Sequence, residues 1–225
     1  MKNRIWLFLL IVGLVFLVSK CKKDDNIPTT VTDLSGNIYN VIHIEKQYWM
    51  AENLKTTKLN DSTAIPLVVD STAWVNLTTP GYCYYNNNET TYKDSYGALY
   101  NWYTVNTGKL CPQGWHVPSD KDWDVLTVNI GGQAVAGGKL KEIGTIHWIS
   151  PNQGATDEFG FTALPGGERD YLGPFMEIGT IGFLWSTTET SVLHARNMVM
   201  SNTSATLASM SYMKAHGFSV RCLMD

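Results

Sequence analysis

Beyond Gly160 the chain is built from short runs of β-branched and aromatic residues, each bounded by Gly, Pro or Asn. Gly160-Phe-Thr-Ala-Leu-Pro-Gly-Gly167, Gly179-Thr-Ile-Gly-Phe-Leu-Trp-Ser-Thr-Thr-Glu189, Ala195-Arg-Asn-Met-Val-Met200 and Gly217-Phe-Ser-Val-Arg-Cys-Leu223 are of this kind. Runs so short and so punctuated pair as strands more readily than they coil as helices. Val31 to Ile44 adds a hairpin signature, two alternating strands around Ser35-Gly36-Asn37. Helical spacing occurs earlier in the chain. Tyr96 to Val105 places Ala98, Leu99, Trp102 and Tyr103 on one face, with Asp94 and Ser95 as candidate N-caps. Helices early and strands late predict an α+β domain with two short-to-medium helices, small antiparallel sheets and long loops.

The densest charged stretch, Gly114-Trp-His-Val-Pro-Ser-Asp-Lys-Asp-Trp-Asp-Val-Leu126, offers a histidine and three aspartates within thirteen residues. It reads as a helix start rather than a metal site. Ser119 with Asp122 makes a variant capping box, Pro118 and Trp123 can form a hydrophobic staple, and Gly131-Gly132 ends the pattern. Asp120, Asp122 and Asp124 then favour the positive end of the helix dipole and diverge around the axis.

The N-terminus constrains location. Lys2 and Arg4 precede the apolar run Ile5–Ser19, which has the form of an export signal and is shorter than the roughly 20 residues of an untilted membrane-spanning helix. Leu17-Val-Ser-Lys-Cys21 follows and resembles a bacterial lipoprotein signal, whose cysteine becomes the acylated first residue of the mature chain. Lys20 stands where that pattern prefers a small residue. An uncleaved anchor flanked by Lys20, Lys22 and Lys23, or simple secretion, are the alternatives. The expected organisation is a signal at 1–20, a polar tether at 21–30 and one domain at 31–225. The partner so implied is a membrane, reached through a lipid on Cys21, and the place is the bacterial cell envelope. There the outer membrane is expected, with display at the cell surface because Lys22-Lys-Asp-Asp25 is similar to signals of surface-displayed lipoproteins; a solvated spacer is the alternative reading of that run. Nucleic acid is not expected, since 17 basic and 20 acidic side chains are intermixed without a basic stripe.

An exported chain allows a disulfide. With Cys21 set aside, Cys83, Cys111 and Cys222 can form one internal pair. Cys111 with Cys222 is the expected one, because their segments read as neighbouring elements, although one sequence does not fix connectivity.

Six ordered segments carry a family resemblance: Tyr48-Trp-Met-Ala-Glu-Asn-Leu-Lys-Thr-Thr57, Tyr96-Gly-Ala-Leu-Tyr-Asn-Trp-Tyr103, Leu110-Cys-Pro-Gln-Gly-Trp-His-Val-Pro-Ser119, Gly160–Gly167, Leu184-Trp-Ser-Thr-Thr-Glu189 and Gly217-Phe-Ser-Val-Arg-Cys222. Together they resemble the Fibrobacter succinogenes major paralogous domain across Val31 to Asp225. The resemblance implies an exported or lipidated protein with a C-type-lectin-like fold, and no established activity. The calcium-ligating triplets of classical C-type lectins, Glu-Pro-Asn, Gln-Pro-Asp and Trp-Asn-Asp, do not occur here. Nor does the late cysteine pair of the formylglycine-generating enzymes, a related branch of the fold.

No catalytic constellation, cofactor loop or metal motif stands out. His43, His116, His147, His194 and His216 are far apart and are expected at the surface or satisfied in the core. Glu168, Arg169 and Asp170 read as a solvated loop. The aromatics are better candidates for contact with a glycan or protein. Within the loop-rich region 144–180, Trp148, Tyr171 and Phe175 are the expected binding residues. The functional expectation is a non-enzymatic binding or adhesion module; an assembly lipoprotein holding another envelope protein is the alternative, and an enzyme comes last.

Overall fold

The computed structural model describes residues 27–225. The export signal and Cys21 lie outside the described residues. The hairpin begins with β1 (Thr30–Thr32) and returns antiparallel as β2 (Ile38–Ile44). Asp33 shapes its turn by accepting the amides of Ser35 at 2.7 Å and Asn37 at 3.0 Å. A second tight turn leads into β3 (Gln47–Met50), again antiparallel.

The middle of the chain is short elements between loops. α1 (Ser71–Val75) is capped by Asp70, whose carboxylate accepts the Ala73 amide at 2.7 Å. β4 (Tyr82–Cys83), α2 (Glu89–Tyr96), β5 (Leu99–Tyr100) and α3 (Trp102–Val105) follow. The single helix expected over Tyr96 to Val105 is therefore absent. Gly97, at φ +75°, ends α2 instead. A Cβ there would stand 2.7 Å from the Leu54 carbonyl oxygen, so the chain passes too close to the 53–54 backbone to continue as a helix. Asp94 and Ser95 lie inside α2, and the caps are Asn88 and Asn101, which accept the amides of Thr91 and Thr104 at 3.1 Å.

β6 (Trp115–His116) leads to α4 (Asp120–Asn129), where the helix-start reading holds. Asp122 accepts the Ser119 amide at 2.8 Å, Asp120 accepts Arg196 at 3.1 Å, and Trp123 is buried. Gly131 and Gly132, both at positive φ, turn the chain into α5 (Gln133–Leu140). The remainder is β7 (Gly166–Arg169), β8 (Phe175–Ile178), β9 (Ile181–Glu189), β10 (His194–Ser201), β11 (Ala208–Met213) and β12 (Leu223–Met224). Among the described residues the strands form two five-stranded sheets, β1-β2-β3-β12-β6 and β11-β10-β9-β7-β8, with β4-β5 as a small ribbon. The fold is α+β, as expected, with more and shorter helices than the sequence pattern suggests.

The segment Gly217–Cys222 ties these parts together. Gly217 exchanges backbone bonds with Arg169 of β7, and Phe218 does so with Tyr100 of β5. Ser219 accepts from Trp185 of β9, Val220 from Leu54, and Cys222 from Met50 of β3. Its side chains divide two cores. Phe218, Val220 and Cys222 pack with Tyr39, Trp102 and Trp185, while Leu223 joins Trp49, Trp123, Trp148 and Phe161 under α4 and α5. Cys222 is disulfide-bonded to Cys111, closing a separation of 111 residues. Cys83 is a buried free thiol, which burial pushes up to about 12.

Irregular backbone leaves many carbonyls without a strand or helix partner. Three buried cations collect them. The Lys141 ammonium donates to the carbonyls of Gln153, Ser201 and Ser204 at 3.0, 2.8 and 2.9 Å and lies 5.2 Å from the Trp148 ring. The Arg169 guanidinium takes the carbonyls of Val69 and Gly173 at 3.0 and 3.1 Å, and that of Val68, between the rings of Trp74 and Phe175. Arg221 takes those of Phe161 and Thr162 together with the Asn53 side chain. None of the three has a carboxylate in salt-bridge contact among the described residues. Burial lowers Lys141 to about 8, which still leaves it mostly charged at neutral pH with three donors for three acceptors.

α5 carries two glycines for contact rather than flexibility. A Cβ on Gly138 would sit 2.3 Å from the Gly154 carbonyl oxygen, and one on Gly137 2.3 Å from that of Thr206. The helix is therefore seated directly on loop backbone. Gly138→Ala should destabilise the protein by about 1–3 kcal/mol despite alanine's higher helix propensity, the overpacking outweighing a gain of about 1 kcal/mol. Chemical denaturation measures this, and a stabilised variant would contradict the packing described.

Candidate functional site

The three aromatic residues expected to bind do not share a surface. Trp148 is 1% exposed, and its indole N–H donates to the Ala163 carbonyl at 2.9 Å. The expectation that it contacts a ligand is corrected: the ring is an anchor that pins the 142–152 loop to the core under α5. Phe175 is half-buried between Tyr85 and the Arg169 guanidinium, 5.4 and 5.0 Å from them, which makes it a packing residue too. Tyr171 is also partly exposed, at the turn between β7 and β8. Trp74, Tyr82, Tyr84 and Tyr85, also candidates for contact by composition, are buried.

Glu168-Arg169-Asp170 is not a solvated loop. β7 pairs with β8 on one side and with β9 on the other, and Arg169 bonds to Gly217, so this run is held inside the molecule. Glu168 is 5% exposed and Asp170 9%. Two residues apart on extended backbone, they face the same way, and Arg169 between them faces the opposite side. His216, 5% exposed, comes up beside them with Nδ1 2.8 Å from Glu168 Oε2. Each of the three side chains offers one donor atom, and these atoms lie within 4.8 Å of one another. Asp170 Oδ1 accepts the Leu172 amide at 2.7 Å. The rings of Tyr171, Tyr212 and Phe218 surround His216 at 5.1 to 5.3 Å.

Position 216 is too distant in sequence from 168 and 170 for any spacing rule to connect them. The alternation Glu168-x-Asp170 behind a Pro-Gly-Gly turn was a usable signal, once the run is taken as a strand. The other histidines have separate partners. His116 meets Asp225 at 2.6 Å, His147 meets Glu142 at 2.8 Å, and His43 stacks on Tyr48 at 4.4 Å.

A second feature is the loop from Glu142 to Asn152. Its interior is fixed by Trp148 and by the Asn152 amide, which donates to the carbonyls of Glu142 and Gly144 at 2.8 and 2.7 Å. The Ile149 amide bonds to the Gly179 carbonyl at 2.7 Å. Outward it presents Ile143, Ile146 and Ile149, with Ile146 85% exposed. A shallow cavity of about 280 Å³ lies elsewhere, between β1 and the Leu110–Gln113 segment beside the disulfide. Its lining includes Asp33, Thr56, Lys58 and Asn60, several of which are already engaged in turn and loop hydrogen bonds.

These features define a loop-rich, disulfide-bonded α+β domain whose loops are pinned from within by buried aromatics and cations. The chain belongs to the Fibrobacter succinogenes major domain family, whose model matches residues 42–224. No curated protein and no solved structure matches it. Among the described residues no helix is long and apolar enough to cross a membrane.

The contrast between two formerly equivalent candidates is measurable. Trp148→Ala should cost about 3–5 kcal/mol by the loss of a fully buried indole, and Tyr171→Ala about 1 kcal/mol or less. Equal, small losses in denaturant unfolding would contradict the burial assigned to Trp148.

Proposed function

We propose that this protein is a lipid-anchored binding module of the bacterial cell envelope, held to the membrane through Cys21 and directed at a protein partner. The single observation that carries the reading is the Glu142–Asn152 loop. It is rigidly seated from inside yet places Ile143, Ile146 and Ile149 in water. Exposing aliphatic side chains on a preorganised loop is unfavourable for an isolated soluble surface and favourable for a protein contact, where ordering costs are already met. Aliphatic groups give a sugar ring no face to stack on, so a protein fits this crest better than a glycan. A C-type-lectin-like fold is in keeping with the arrangement, because β12 closes a sheet between β3 and β6 and long loops join the elements. The tether to the outer membrane follows from the sequence around Cys21.

A glycan partner is the second reading, favoured by the partly exposed Tyr171, whose ring lies 5.3 Å from that of His216. Recognition there would not involve the isoleucines.

Photo-crosslinking in intact cells separates the readings. A benzophenone amino acid at position 146 should give a discrete crosslinked band, and the same probe at Val128, 74% exposed on α4, should not. Ile146→Asp should weaken partner capture at least tenfold with the melting temperature nearly unchanged. Equal crosslinking from both positions, or glycan binding lost in Tyr171→Ala and kept in Ile146→Asp, would count against the protein-partner reading.

A further inference from the structure

We infer that Glu168, Asp170 and His216 form a binding site for a divalent transition-metal ion of the zinc or manganese type. The inference stands apart from either reading of the partner. Two carboxylates and one imidazole converge, with donor atoms no more than 4.8 Å apart. Donors around a tetrahedral ion with bonds of about 2.1 Å are about 3.4 Å apart, so binding draws the widest pair in by up to about 1.4 Å. Side-chain torsions of Glu168 and of Asp170, which stands at the start of the Asp170–Pro174 turn, can supply that movement.

Charge supplies a second, separate observation. Glu168 has no ion-pair partner among the described residues except His216, and Asp170 has none. Both are at least nine-tenths buried. Arg169 cannot serve, because it faces the other side of the strand and its donors are committed to Val68, Val69 and Gly173. His216 faces Glu168 alone, and the rings around it carry no charge. A buried carboxylate without a counter-charge is costly, and a dication removes the cost for both at once.

The donor set selects the ion. One nitrogen among two oxygens suits zinc, manganese or ferrous iron, whereas calcium takes six to eight oxygen ligands and magnesium prefers carboxylates and water. Three protein ligands leave coordination positions for water or for a group from outside, with Tyr171 at the rim.

Isothermal titration of the purified full-length protein, stripped with a chelator, tests this with Zn²⁺ and Mn²⁺ alone and Ca²⁺ as the contrast. One equivalent of Zn²⁺ or Mn²⁺ should bind at micromolar or tighter affinity, and calcium at least tenfold more weakly. Asp170→Asn retains the acceptor for the Leu172 amide and should weaken binding at least a hundredfold. If that variant does not fold, long-range nitrogen–proton NMR of the unmutated protein decides. The ring nitrogen shifts of His216 should change on adding one equivalent of Zn²⁺, while those of His43, His116, His147 and His194 stay fixed. Absence of binding by both transition metals, equal affinity in folded Asp170→Asn, or shifts confined to another histidine would overturn the assignment and leave Glu168 and His216 as an ion pair only.

Discussion

The described residues are arranged around the passage of Gly217–Cys222 between their sheets. Within six residues its backbone bonds to β7, β5, β9, the 54 region and β3. Their own side chains alternate between two cores, as extended backbone requires. Phe218 stacks on Phe183 at 4.6 Å, and Arg221, across from it, reaches Asn53 and the Phe161 carbonyl. The disulfide at Cys222 fixes the far end of the passage to the loop before β6. These contacts join the last residues of the chain to its first strands over long sequence separations.

The same architecture explains why so much backbone can go without sheet or helix. Buried carbonyls need donors. A cation with several N–H groups and no acceptor of its own is the most economical source, since it satisfies two or three carbonyls from one point. Lys141, Arg169 and Arg221 each do this for a different loop, and each rests on an aromatic ring that adds a further attraction. Loops held in this way are presented as fixed shapes. That is what a binding surface needs if it is not to lose affinity to ordering.

How far the sequence discloses this depends on whether the deciding contacts are local. The β1-β2 hairpin and the start of α4 were legible, because Asp33 and Ser119 with Asp122 bond within a few residues of themselves. The split of the expected 96–105 helix was not, since its cause is the approach of the Leu54 backbone to Gly97. Trp148 has the surroundings of an exposed loop residue in sequence and becomes core only because α5 and Ala163 fold over it. Glu168-Arg-Asp170 reads as a polar turn for the same reason. Its burial is decided by β9 and by Gly217, far away in the chain. The isoleucines at 143, 146 and 149 were visible as letters, but their exposure follows from where Trp148 goes.

The central claim is that the loops, and the 142–160 region above all, are as firmly held as the strands. Residue-resolved hydrogen exchange tests it most directly. The amides of Ile149, Gln153, Thr156 and Glu158 bond to Gly179, Asn202, Gly138 and Lys139, and they should exchange with protection close to that of Tyr100 and Trp185 in the sheets. Exchange of those loop amides at rates near those of an unfolded chain, with Tyr100 and Trp185 still protected, would contradict the account.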